Sequence, residues 1–316
     1  MPGLAVLTGA TGFIGQHLAA RLQSDGWRLR IFSRNPQAAQ SVACAEAVTG
    51  DFAQTDKLRA LTREADLIIH CAGAIKARSR ADFDAANADS VTRLTEACAQ
   101  NATKPRFVLL STLAAREAEI SSYAASKREG ERRAEAGRDA LSSLTMVRPP
   151  AVYGPGDRET LAFFKMLRSG FVLFPKTEAA RLSLIHVADL VEAIAALCRM
   201  ERPPEGSFEI ADPAPEGYSW EEMIRAGEAA VGHSARRIVL SRGTVGLIAG
   251  AVSTGARLTG RLPMLSRDKV AELFHADWVA RDRRLQTLLN KPPRIALLEG
   301  FRETAAWYRA QSWLKS

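Results

Sequence analysis

The sequence has few cysteines, no long uninterrupted hydrophobic run and no histidine spacing typical of a metal site. Its 316 residues contain four cysteines, which are far apart and include no Cys-x-x-Cys pair. This pattern excludes disulfide scaffolds and cysteine-based zinc modules, and it favours a reducing compartment such as the cytoplasm. The five histidines show no ligand spacing, so we expect no metal site.

Membrane-spanning and leader-like segments are also missing. The least polar stretch, residues 243–260, is interrupted by Arg257 and several glycines, and its apolar part is shorter than the ~20 residues of a membrane span. Contact of this stretch with a membrane surface stays open, as does a buried or groove-lining helix. Met1 is followed directly by a strand pattern, without the basic and apolar regions of a signal peptide, so we expect a cytoplasmic protein.

The charge is basic overall but mixed along the chain. Lys and Arg number 43 against 35 Asp and Glu, which gives a net charge of +8. Basic and acidic residues alternate in segments such as KREGERRAEAGRD, and no basic stripe or nucleic-acid-binding module is visible. We therefore expect no nucleic-acid partner, and we assign the excess charge to the phosphate groups of a small ligand.

The first half of the chain alternates short apolar runs with amphipathic segments. Strand patterns occur at residues 4–8, 29–33, 45–51, 65–73, 106–111 and 144–150, and helical patterns lie between them. Strands that are apolar at both odd and even positions are buried on both faces, as in a parallel sheet covered by helices. The pattern predicts an α/β fold of the Rossmann type, in which helices flank a doubly wound parallel sheet.

After Pro150 this alternation weakens, and beyond residue 219 nearly every segment is helical in pattern. We predict a first domain at residues 1–155. A smaller, mostly helical lobe is predicted at residues 156–316, and it also contributes strands and helices to the main domain.

The segment TGATGFIG places Gly9, Gly12 and Gly15 between the first strand and the first helix. Phosphate needs backbone N–H groups at close range, and side chains here would hold it away or keep the helix from packing on the strand. The segment therefore predicts a dinucleotide whose pyrophosphate lies on the N-terminus of the first helix. Tight packing of strand and helix alone is the alternative interpretation.

The second strand ends in Ser33 and Arg34. Units that bind NAD usually place a carboxylate here for the ribose 2′-hydroxyl, whereas a guanidinium can pair with a 2′-phosphate. NADP(H) is therefore predicted in preference to NAD(H). A solvated loop arginine is the alternative for Arg34.

Eight short motifs carry a resemblance to a known superfamily. They are TGATGFIG, GDF (50–52), HCAG (70–73), ANADSVTRLTEAC with Asn87, LLST (109–112), YAASK (123–127), RPPAVYGPGD (148–157) and IHVADLVEAI (185–194). In order and spacing they are similar to the motifs of the extended short-chain dehydrogenase/reductases, which include the NAD(P)-dependent epimerase/dehydratase family. The resemblance covers residues 1–200, and the remainder is more weakly similar to the 3β-hydroxysteroid dehydrogenase and dihydroflavonol reductase branch.

Tyr123 and Lys127 are four residues apart on a predicted helix, so their side chains share one face. A nearby ammonium and an oxidised nicotinamide favour phenolate, which fits Tyr123 as the acid–base group of a hydride transfer. An amphipathic surface helix is the alternative. The resemblance adds a hydroxyl at the end of the fifth strand, which we assign to Thr112, with Ser111 as the alternative because neighbouring strand residues face opposite sides.

The remaining predicted contacts follow the resemblance position by position, and core or turn packing is the alternative for each. The predicted cofactor contacts are Gly9, Thr11, Gly12, Phe13, Ile14, Gly15, Ser33, Arg34, Asp51, Phe52, Cys71, Ala72, Gly73, Lys127, Pro149, Pro150 and Val152. The substrate is expected at the carboxyl ends of the strands. The candidates that line its pocket are Lys76, Tyr153, Arg158 and Arg181.

Together these features predict an NADP-dependent oxidoreductase that interconverts a secondary alcohol and a ketone on a rather apolar small molecule. A nucleotide-sugar epimerase or dehydratase is the alternative. The segment RPPAVYG, with Pro150, lacks the asparagine that sugar-nucleotide enzymes often carry there, and Leu113 stands where a dehydratase would have an acid. A third hypothesis is a non-catalytic NADPH-binding subunit, although such relatives frequently lose the tyrosine or the lysine. The chain is expected to be a monomer or a homodimer.

Overall fold

The computed structural model describes residues 3–40, 42, 46–177, 179–247, 249 and 267–315. The chain forms two compact units. The first unit comprises Met1–Pro149, Val191–Ile210 and Asp282–Pro292, and the second comprises Pro150–Leu190, Ala211–Arg281 and Pro293–Ser316. The chain therefore leaves the first unit after Pro149 and returns to it twice.

A seven-stranded parallel sheet forms the centre of the first unit. Its strands are β1 (Leu4–Thr8), β2 (Arg28–Ser33), β3 (Glu46–Thr49), β4 (Leu67–His70), β5 (Arg106–Leu110), β6 (Ser143–Arg148) and β11 (Gly206–Glu209). Across the sheet they lie in the order β11-β6-β5-β4-β1-β2-β3, and every pairing is parallel. All carboxyl ends therefore meet at one edge, and the chain reverses its direction of winding beside β1, where such sheets bind ligands. The predicted Rossmann-type fold is confirmed.

Helices connect these strands. They are α1 (Phe13–Ser24), α2 (Pro36–Gln40), α3 (Thr55–Thr62), α4 (Arg80–Asp84), α5 (Ser90–Cys98), α6 (Ser122–Ala136), α8 (Val187–Arg199, which begins in the second unit) and α11 (Arg284–Leu288). The helical pattern between β4 and β5 is interrupted by a π-helical turn, Ala85–Asp89. A β-carbon on Gly130 of α6 would lie 2.2 Å from the carbonyl oxygen of Asn87, so α6 packs directly on this turn.

The core of the first unit lies between the sheet and these helices. Every residue of β1 and β4 is buried, as the apolar residues at both parities predicted. Leu94 of α5 and Phe107 of β5 are completely inaccessible to solvent and belong to the same apolar cluster. The loss of such a side chain typically costs about 2–5 kcal/mol, so this packing fixes the positions of the strand ends.

The second unit contains three short parallel strand pairs besides its helices. β7 (Ala151–Tyr153) pairs with β10 (Leu184–His186), β8 (Phe171–Pro175) with β12 (Arg236–Leu240), and β9 (Arg181–Leu182) with β13 (Asp277–Trp278). Among the described residues, its helices are α7 (Leu161–Arg168), α9 (Trp220–Val231), α10 (Arg267–Leu273) and α12 (Leu297–Ala310), and residues 242–247 are also helical. The prediction that residues after 219 are nearly all helical is wrong at β12 and β13. Each of these strands pairs with a partner far away in sequence, which local periodicity does not reveal.

The core of the second unit is rich in aromatic rings. Phe301 packs edge-on against Tyr153 and Phe164, with ring centroids 5.1 and 5.2 Å apart, and Phe164 packs against Tyr308 at 5.5 Å. Tyr308 donates a hydrogen bond to the carbonyl of Asp157 at 2.5 Å. Such offset and edge-to-face pairs add to the apolar burial of the rings.

Most of the apolar stretch 243–260 lies outside the described residues, which cover only residues 243–247 and 249 of it. Among the helices that the structure does describe, none has the length and apolar character needed to cross a bilayer.

Candidate active site

The glycine turn connects β1 to α1 at the carboxyl edge of the sheet. Gly9 has a φ of +71°, and a β-carbon there would lie 2.6 Å from the backbone nitrogen of Ala72. A β-carbon on Gly15 would lie 2.0 Å from the carbonyl oxygen of Gly9. Only glycine fits at these two positions, because one requires a left-handed backbone and the other a direct approach of the helix to the turn.

Gly12 differs from these two glycines. It is exposed and forms the N-cap of α1 without a side-chain hydrogen bond, and a β-carbon on it would meet only the Gly9 carbonyl, at 3.3 Å. The turn therefore leaves the start of α1, with Thr11, Phe13 and Ile14 partly exposed, accessible from the solvent side. An uncapped helix N-terminus of this kind has the donors and the dipole that bind phosphate.

The ends of β2 and β3 lie beside this turn in the sheet. Ser33 is buried, and its hydroxyl donates to the carbonyl of Asn35 at 3.0 Å, whereas the Arg34 side chain is exposed. Asp51 is exposed and accepts from the backbone of Ala53 at 2.7 Å. Phe52 packs edge-on against Phe32, with ring centroids 5.0 Å apart. Arg34 and Asp51 are thus accessible to a ligand, while Ser33 and Phe52 also serve the local structure.

A buried hydrogen-bonded chain joins β1 and β4 beneath the site, and sequence reasoning missed it. His70 contacts the Thr8 hydroxyl through Nδ1 at 2.7 Å and the Ser90 hydroxyl through Nε2 at 3.1 Å. Ser90 donates to the carbonyl of Ala86 at 2.8 Å, so the Ser90 oxygen accepts from His70, and Thr8 donates to Nδ1. Burial and, secondarily, Lys127 lower the pKa of His70 to about 3, so this imidazole is neutral.

The loop after β4 is held from both sides. The backbone of Ala72 donates to the Thr8 hydroxyl at 3.2 Å, and Asn87 in the π-helical turn accepts from the nitrogen of Ala74 at 2.8 Å. The Asn87 amide donates to the carbonyl of Ala74 and to the Ser126 hydroxyl. Asn87 was recognised only as part of a motif, and the structure gives it this bridging role. π-Helical turns are frequent at functional sites.

Three predicted contacts, Cys71, Ala72 and Gly73, belong to this loop. A β-carbon on Gly73 would lie 3.8 Å from the Lys127 ammonium nitrogen, so the loop passes close to the Lys127 side chain. Burial raises the pKa of the Cys71 thiol to about 12, although Lys127 opposes this shift. Cys71 is therefore a neutral thiol beside the ammonium.

Helix α6 carries Tyr123 in its first turn and Lys127 one turn later. The Ser121 hydroxyl caps this helix by accepting from the nitrogen of Ala124 at 3.0 Å. The Lys127 ammonium is buried and donates to the carbonyl of Leu110, the last residue of β5, at 2.6 Å. This bond joins α6 to the carboxyl edge of the sheet. The Tyr123 ring is partly exposed and lies 6.1 Å from the Phe83 ring.

The charge of Lys127 is weakened by burial and supported by a neighbouring carboxylate. Burial lowers the pKa of Lys127 to about 8, whereas Cys71 and Glu131 act to raise it. Near neutral pH the group therefore stays mostly charged, but it loses its proton within reach of physiological conditions. A group of this kind can assist proton transfer.

Glu131 lies one turn beyond Lys127 and was not identified from the sequence. Its carboxylate is 1% exposed and is held bidentately by Arg148 of β6, at 2.7 and 2.5 Å. Burial acts to raise the pKa of Glu131, but the bonds from Arg148, Ser111 and Arg128 lower it below its usual range. These bonds therefore favour the charged form of the carboxylate. Its position four residues after Lys127 is the one sequence signal that could have indicated this role.

The two candidate hydroxyls at the end of β5 have different environments. Ser111 is buried and donates to Glu131 at 2.6 Å. Thr112 is partly exposed, and its hydroxyl accepts from the nitrogen of Ala114 at 3.3 Å at the start of the 3₁₀ turn Leu113–Glu117. Ser111 is thus a partner of the carboxylate, and it is Thr112 whose hydroxyl proton is available to a ligand.

The predicted contacts after β6 divide between the two units. Pro149 is buried at the end of the first unit, and its carbonyl accepts from the nitrogen of Leu113 at 2.8 Å. Pro150 begins the second unit, where Val152 lies on β7.

The four predicted substrate residues have different surroundings. Lys76 is partly exposed in the loop after β4, and Arg158 is exposed and lies over the Trp313 ring at 4.4 Å. Arg181 donates to the carbonyls of Glu216 and Gly217 at 2.7 and 2.8 Å, so it holds a loop of the second unit.

Tyr153 requires a correction. Its side chain is completely buried among Phe301, His186 and the backbone of Gly300, and its hydroxyl has no hydrogen-bond partner. Burial and the neighbouring Asp212 raise the pKa of Tyr153 far above its usual range. The residue is part of the core and is not accessible to a substrate.

The arrangement at the sheet edge can therefore bind phosphate at the start of α1 and can exchange a proton through the Tyr123 phenol. Thr112 supplies a further hydroxyl donor, and the Lys127 ammonium supplies positive charge. These parts come from the ends of β1 and β5 and from helices α1 and α6 of the first unit.

One protein-family model and two named proteins match more than half of this chain. The model of the NAD dependent epimerase/dehydratase family matches residues 5–211. The chain is 39% identical to a protein named ceramide reductase from Caulobacter vibrioides, over 99% of this chain and 96% of that protein. An uncharacterised protein of Sinorhizobium fredii is 27% identical, over 96% of this chain and 94% of that protein.

Solved structures share the fold at lower identity. MoeE5 in complex with UDP-glucose and NAD is 21% identical, with a TM-score of 0.76 over 98% of this chain and 100% of that chain. UDP-glucuronic acid 4-epimerase from Bacillus cereus, in complex with UDP-glucuronic acid and NAD, is 18% identical, with a TM-score of 0.73 over 97% of this chain and 99% of that chain. At these identities the likeness shows the fold alone.

The family model extends from β1 beyond the end of β11, and the Caulobacter relative is similar along nearly the entire chain. The chain belongs to the NAD-dependent epimerase/dehydratase family of the extended short-chain dehydrogenase/reductases.

Proposed function

We propose that this protein is an NADP(H)-dependent reductase that converts a ketone of a ceramide-type lipid into the secondary alcohol. The observation that carries the proposal is the position of Tyr123 one helical turn before a buried ammonium, Lys127, which is fixed on the last carbonyl of β5. This arrangement places a phenol whose proton is exchangeable at the carboxyl edge of the sheet. A ketone reduction needs such a proton donor.

The choice of a reductase over a sugar-nucleotide epimerase rests on the Caulobacter relative. The name of the Caulobacter protein, 39% identical over nearly the full chain, specifies reduction and a lipid. The sugar-nucleotide neighbours are about half as similar in sequence. At the site, Leu113 is buried and apolar at the position where a dehydratase would have an acid.

A ceramide carries a secondary hydroxyl and long hydrocarbon chains, so the matching ketone is an apolar substrate. Ile75, in the same loop as Lys76, is 49% exposed. Ile75 is therefore a candidate for contact with the hydrocarbon of such a substrate, while the preference for an apolar substrate rests on the named relative.

The residues of the first unit fit the coenzyme. The start of α1 beside Gly12 would bind the pyrophosphate, and Arg34 would pair with the 2′-phosphate that distinguishes NADP(H). Asp51, Phe52 and the loop from Cys71 to Gly73 would contact the adenosine. When bound, the reduced coenzyme supplies the hydride that the carbonyl carbon accepts.

The side chains then supply the proton. Thr112 donates a hydrogen bond to the carbonyl oxygen, and Tyr123 transfers its phenolic proton to that oxygen as negative charge develops. The Lys127 ammonium favours the resulting phenolate, and solvent restores the proton. One hydride and one proton are added to the ketone, and the products are the alcohol and the oxidised coenzyme.

The test is a turnover assay with the full-length chain, the ketone form of a ceramide in detergent micelles, and either NADPH or NADH. We expect the absorbance of the reduced nicotinamide to fall with NADPH and the lipid alcohol to form in equal amount. Tyr153→Phe is the matched control for Tyr123→Phe. Both variants lose one phenolic hydroxyl, but only Tyr123→Phe loses it at the sheet edge.

Two outcomes would contradict the proposal. An epimerase would interconvert UDP-glucose without net change of the coenzyme, and a non-catalytic subunit would bind NADPH without turning over any ketone. Equal activity of Tyr123→Phe and Tyr153→Phe would also refute the assigned role of Tyr123.

A further inference from the structure

One face of the β8–β12 strand pair in the second unit is apolar and exposed. The strands are parallel, with Phe171 opposite Arg236 and Leu173 opposite Ile238. Paired residues on neighbouring strands point to the same side of a sheet, so these four side chains share one face, which we call the Phe171 face. Phe171, Leu173 and Ile238 are 42%, 41% and 38% exposed, although all three are large hydrophobic residues.

The opposite face of the same strands is packed at Val172 and ion-paired at Arg237, whereas Val239, further along β12 on that side, is 51% exposed. Val172, which alternates with Phe171 and Leu173, is buried in the aromatic core of the unit. Arg237, which alternates with Arg236 and Ile238, pairs with Glu221 and Glu228 of α9 at 3.1 and 2.7 Å. The start of the strand pair therefore has one side turned to its own unit. Further along the Phe171 side, Leu240 packs against the cluster of Val245, Ala249 and Val270, so the exposed part of this face consists of Phe171, Leu173, Arg236 and Ile238.

The charge around this face has a single sign. The segments that contain the two strands, residues 168–177 and 233–242, include five Lys and Arg residues and no Asp or Glu. Arg237 is neutralised on the inner face, but Arg236 lies on the Phe171 face, and Lys176 and Arg242 are exposed just beyond the ends of the strands.

We propose that the Phe171 face, with Lys176 and Arg242, binds the surface of a bilayer that contains anionic lipid. Exposed apolar side chains enter the boundary between head groups and acyl chains, while surrounding cations are attracted to the lipid phosphates. A protein partner or a second copy would need acidic groups placed opposite these cations. An anionic bilayer presents phosphate groups over its whole surface. The lipid character of this partner rests in part on the proposed function, because a ceramide-type substrate resides in membranes.

The experiment is co-sedimentation of the full-length chain with vesicles of phosphatidylcholine alone or of phosphatidylcholine mixed with phosphatidylglycerol. We expect the chain to bind the mixed vesicles, to bind the neutral vesicles at least tenfold more weakly, and to dissociate as salt is raised. The double variant Leu173→Glu/Ile238→Glu should lower the affinity for mixed vesicles about tenfold or more.

The matched control is Leu288→Glu/Leu298→Glu, since these leucines are 51% and 38% exposed and lie outside the Phe171 face. It introduces the same number of charges and should leave binding unchanged. A second variant, Lys176→Glu/Arg236→Glu, keeps the apolar residues and should weaken binding to the mixed vesicles only. Circular dichroism of each variant checks that the fold is retained.

Three results would overturn the proposal. The wild-type chain could fail to sediment with either vesicle, the control pair could lose as much binding as the Phe171-face pair, or the Phe171-face pair could convert a dimer into a monomer, which would make the face a contact between copies. Turnover of a short-chain, water-soluble ketone, measured in parallel without vesicles, reports on the proposed function separately. Loss of that turnover with retained vesicle binding would refute the proposed function and leave the docking surface standing.

Discussion

Two tyrosines, one in each unit, differ completely in what their surroundings allow. Tyr123 is partly exposed in the first turn of α6, one turn from the buried ammonium of Lys127. Tyr153 is fully enclosed by aromatic rings and the backbone of α12, and its hydroxyl has no partner. One phenol can exchange its proton with a ligand, and the other cannot reach one.

The contrast extends to the groups around each phenol. At the sheet edge the buried polar groups form connected chains, His70 with Thr8 and Ser90, and Glu131 with Ser111 and Arg148. In the aromatic core, apolar contact provides the stability and an unpaired hydroxyl is tolerated. Proton chemistry requires the first kind of environment, because a buried charge persists only when it is paired.

The largest expected effect is the loss of turnover on removal of one phenolic hydroxyl. Tyr123→Phe should reduce kcat by roughly 10²–10⁴-fold, the usual contribution of a positioned proton donor, while Tyr153→Phe should leave kcat within about twofold. Steady-state kinetics of both variants under identical conditions measure the difference. Similar kcat values for the two variants would show that the two tyrosines do not differ in their contribution to turnover.

The next prediction concerns the packing of the aromatic core against α12. A β-carbon on Gly300 would lie 2.3 Å from the hydroxyl oxygen of Tyr153, so Gly300→Ala should lower the free energy of unfolding by about 1–3 kcal/mol. Adding Tyr153→Phe to Gly300→Ala removes the atom in closest contact and should restore part of the loss. Urea unfolding of the two single variants and the double variant measures this coupling, and strictly additive effects would contradict the packing.

The coenzyme preference is expected to change less, and at the sheet edge only. Arg34→Glu places a carboxylate where a 2′-phosphate would bind, so the ratio of kcat/KM for NADPH over NADH should fall about tenfold or more. The pyrophosphate is common to NADPH and NADH, so the loss of a contact to it would not change this ratio. An unaltered ratio would show that Arg34 is a solvated loop residue.

The smallest expected effect is a shift in pH dependence. Burial lowers the pKa of Lys127 to about 8, and the Glu131 carboxylate acts to raise it. If turnover needs the ammonium, kcat should be highest below this pH and should fall as the pH rises through it. Glu131→Gln removes negative charge, so the alkaline limb of the kcat profile should move to lower pH. A limb that stays in place would show that Glu131 does not support the charge of Lys127.

How much the sequence predicts depends on the range of the interactions involved. The strand alternation and the glycine turn follow from local patterns, and the sheet, Gly9 and Gly15 occur as those patterns indicate. Tyr123 and Lys127 lie on the same helix, so the sequence alone predicts that their side chains share one face. Their catalytic role stays a prediction.

The parts that sequence reasoning missed depend on partners distant in the chain. Glu131 is held by Arg148 and His70 by Thr8, and neither pairing leaves a periodic signal. Tyr153 was misplaced for the same reason. It lies within a recognised motif, but its surroundings are set by α12, nearly 150 residues later, where Gly300 lies against its ring. Burial of an individual polar residue is decided by such contacts.

The most direct measurement follows the hydride itself. NADPH that carries deuterium at its reactive carbon is incubated with the ketone form of a ceramide, and the lipid product is analysed by mass spectrometry. We predict one deuterium on the carbinol carbon with the wild-type chain and with Tyr153→Phe, and almost none with Tyr123→Phe. Bound NADPH without any labelled alcohol from the wild-type chain, or equal label from both variants, would contradict the account.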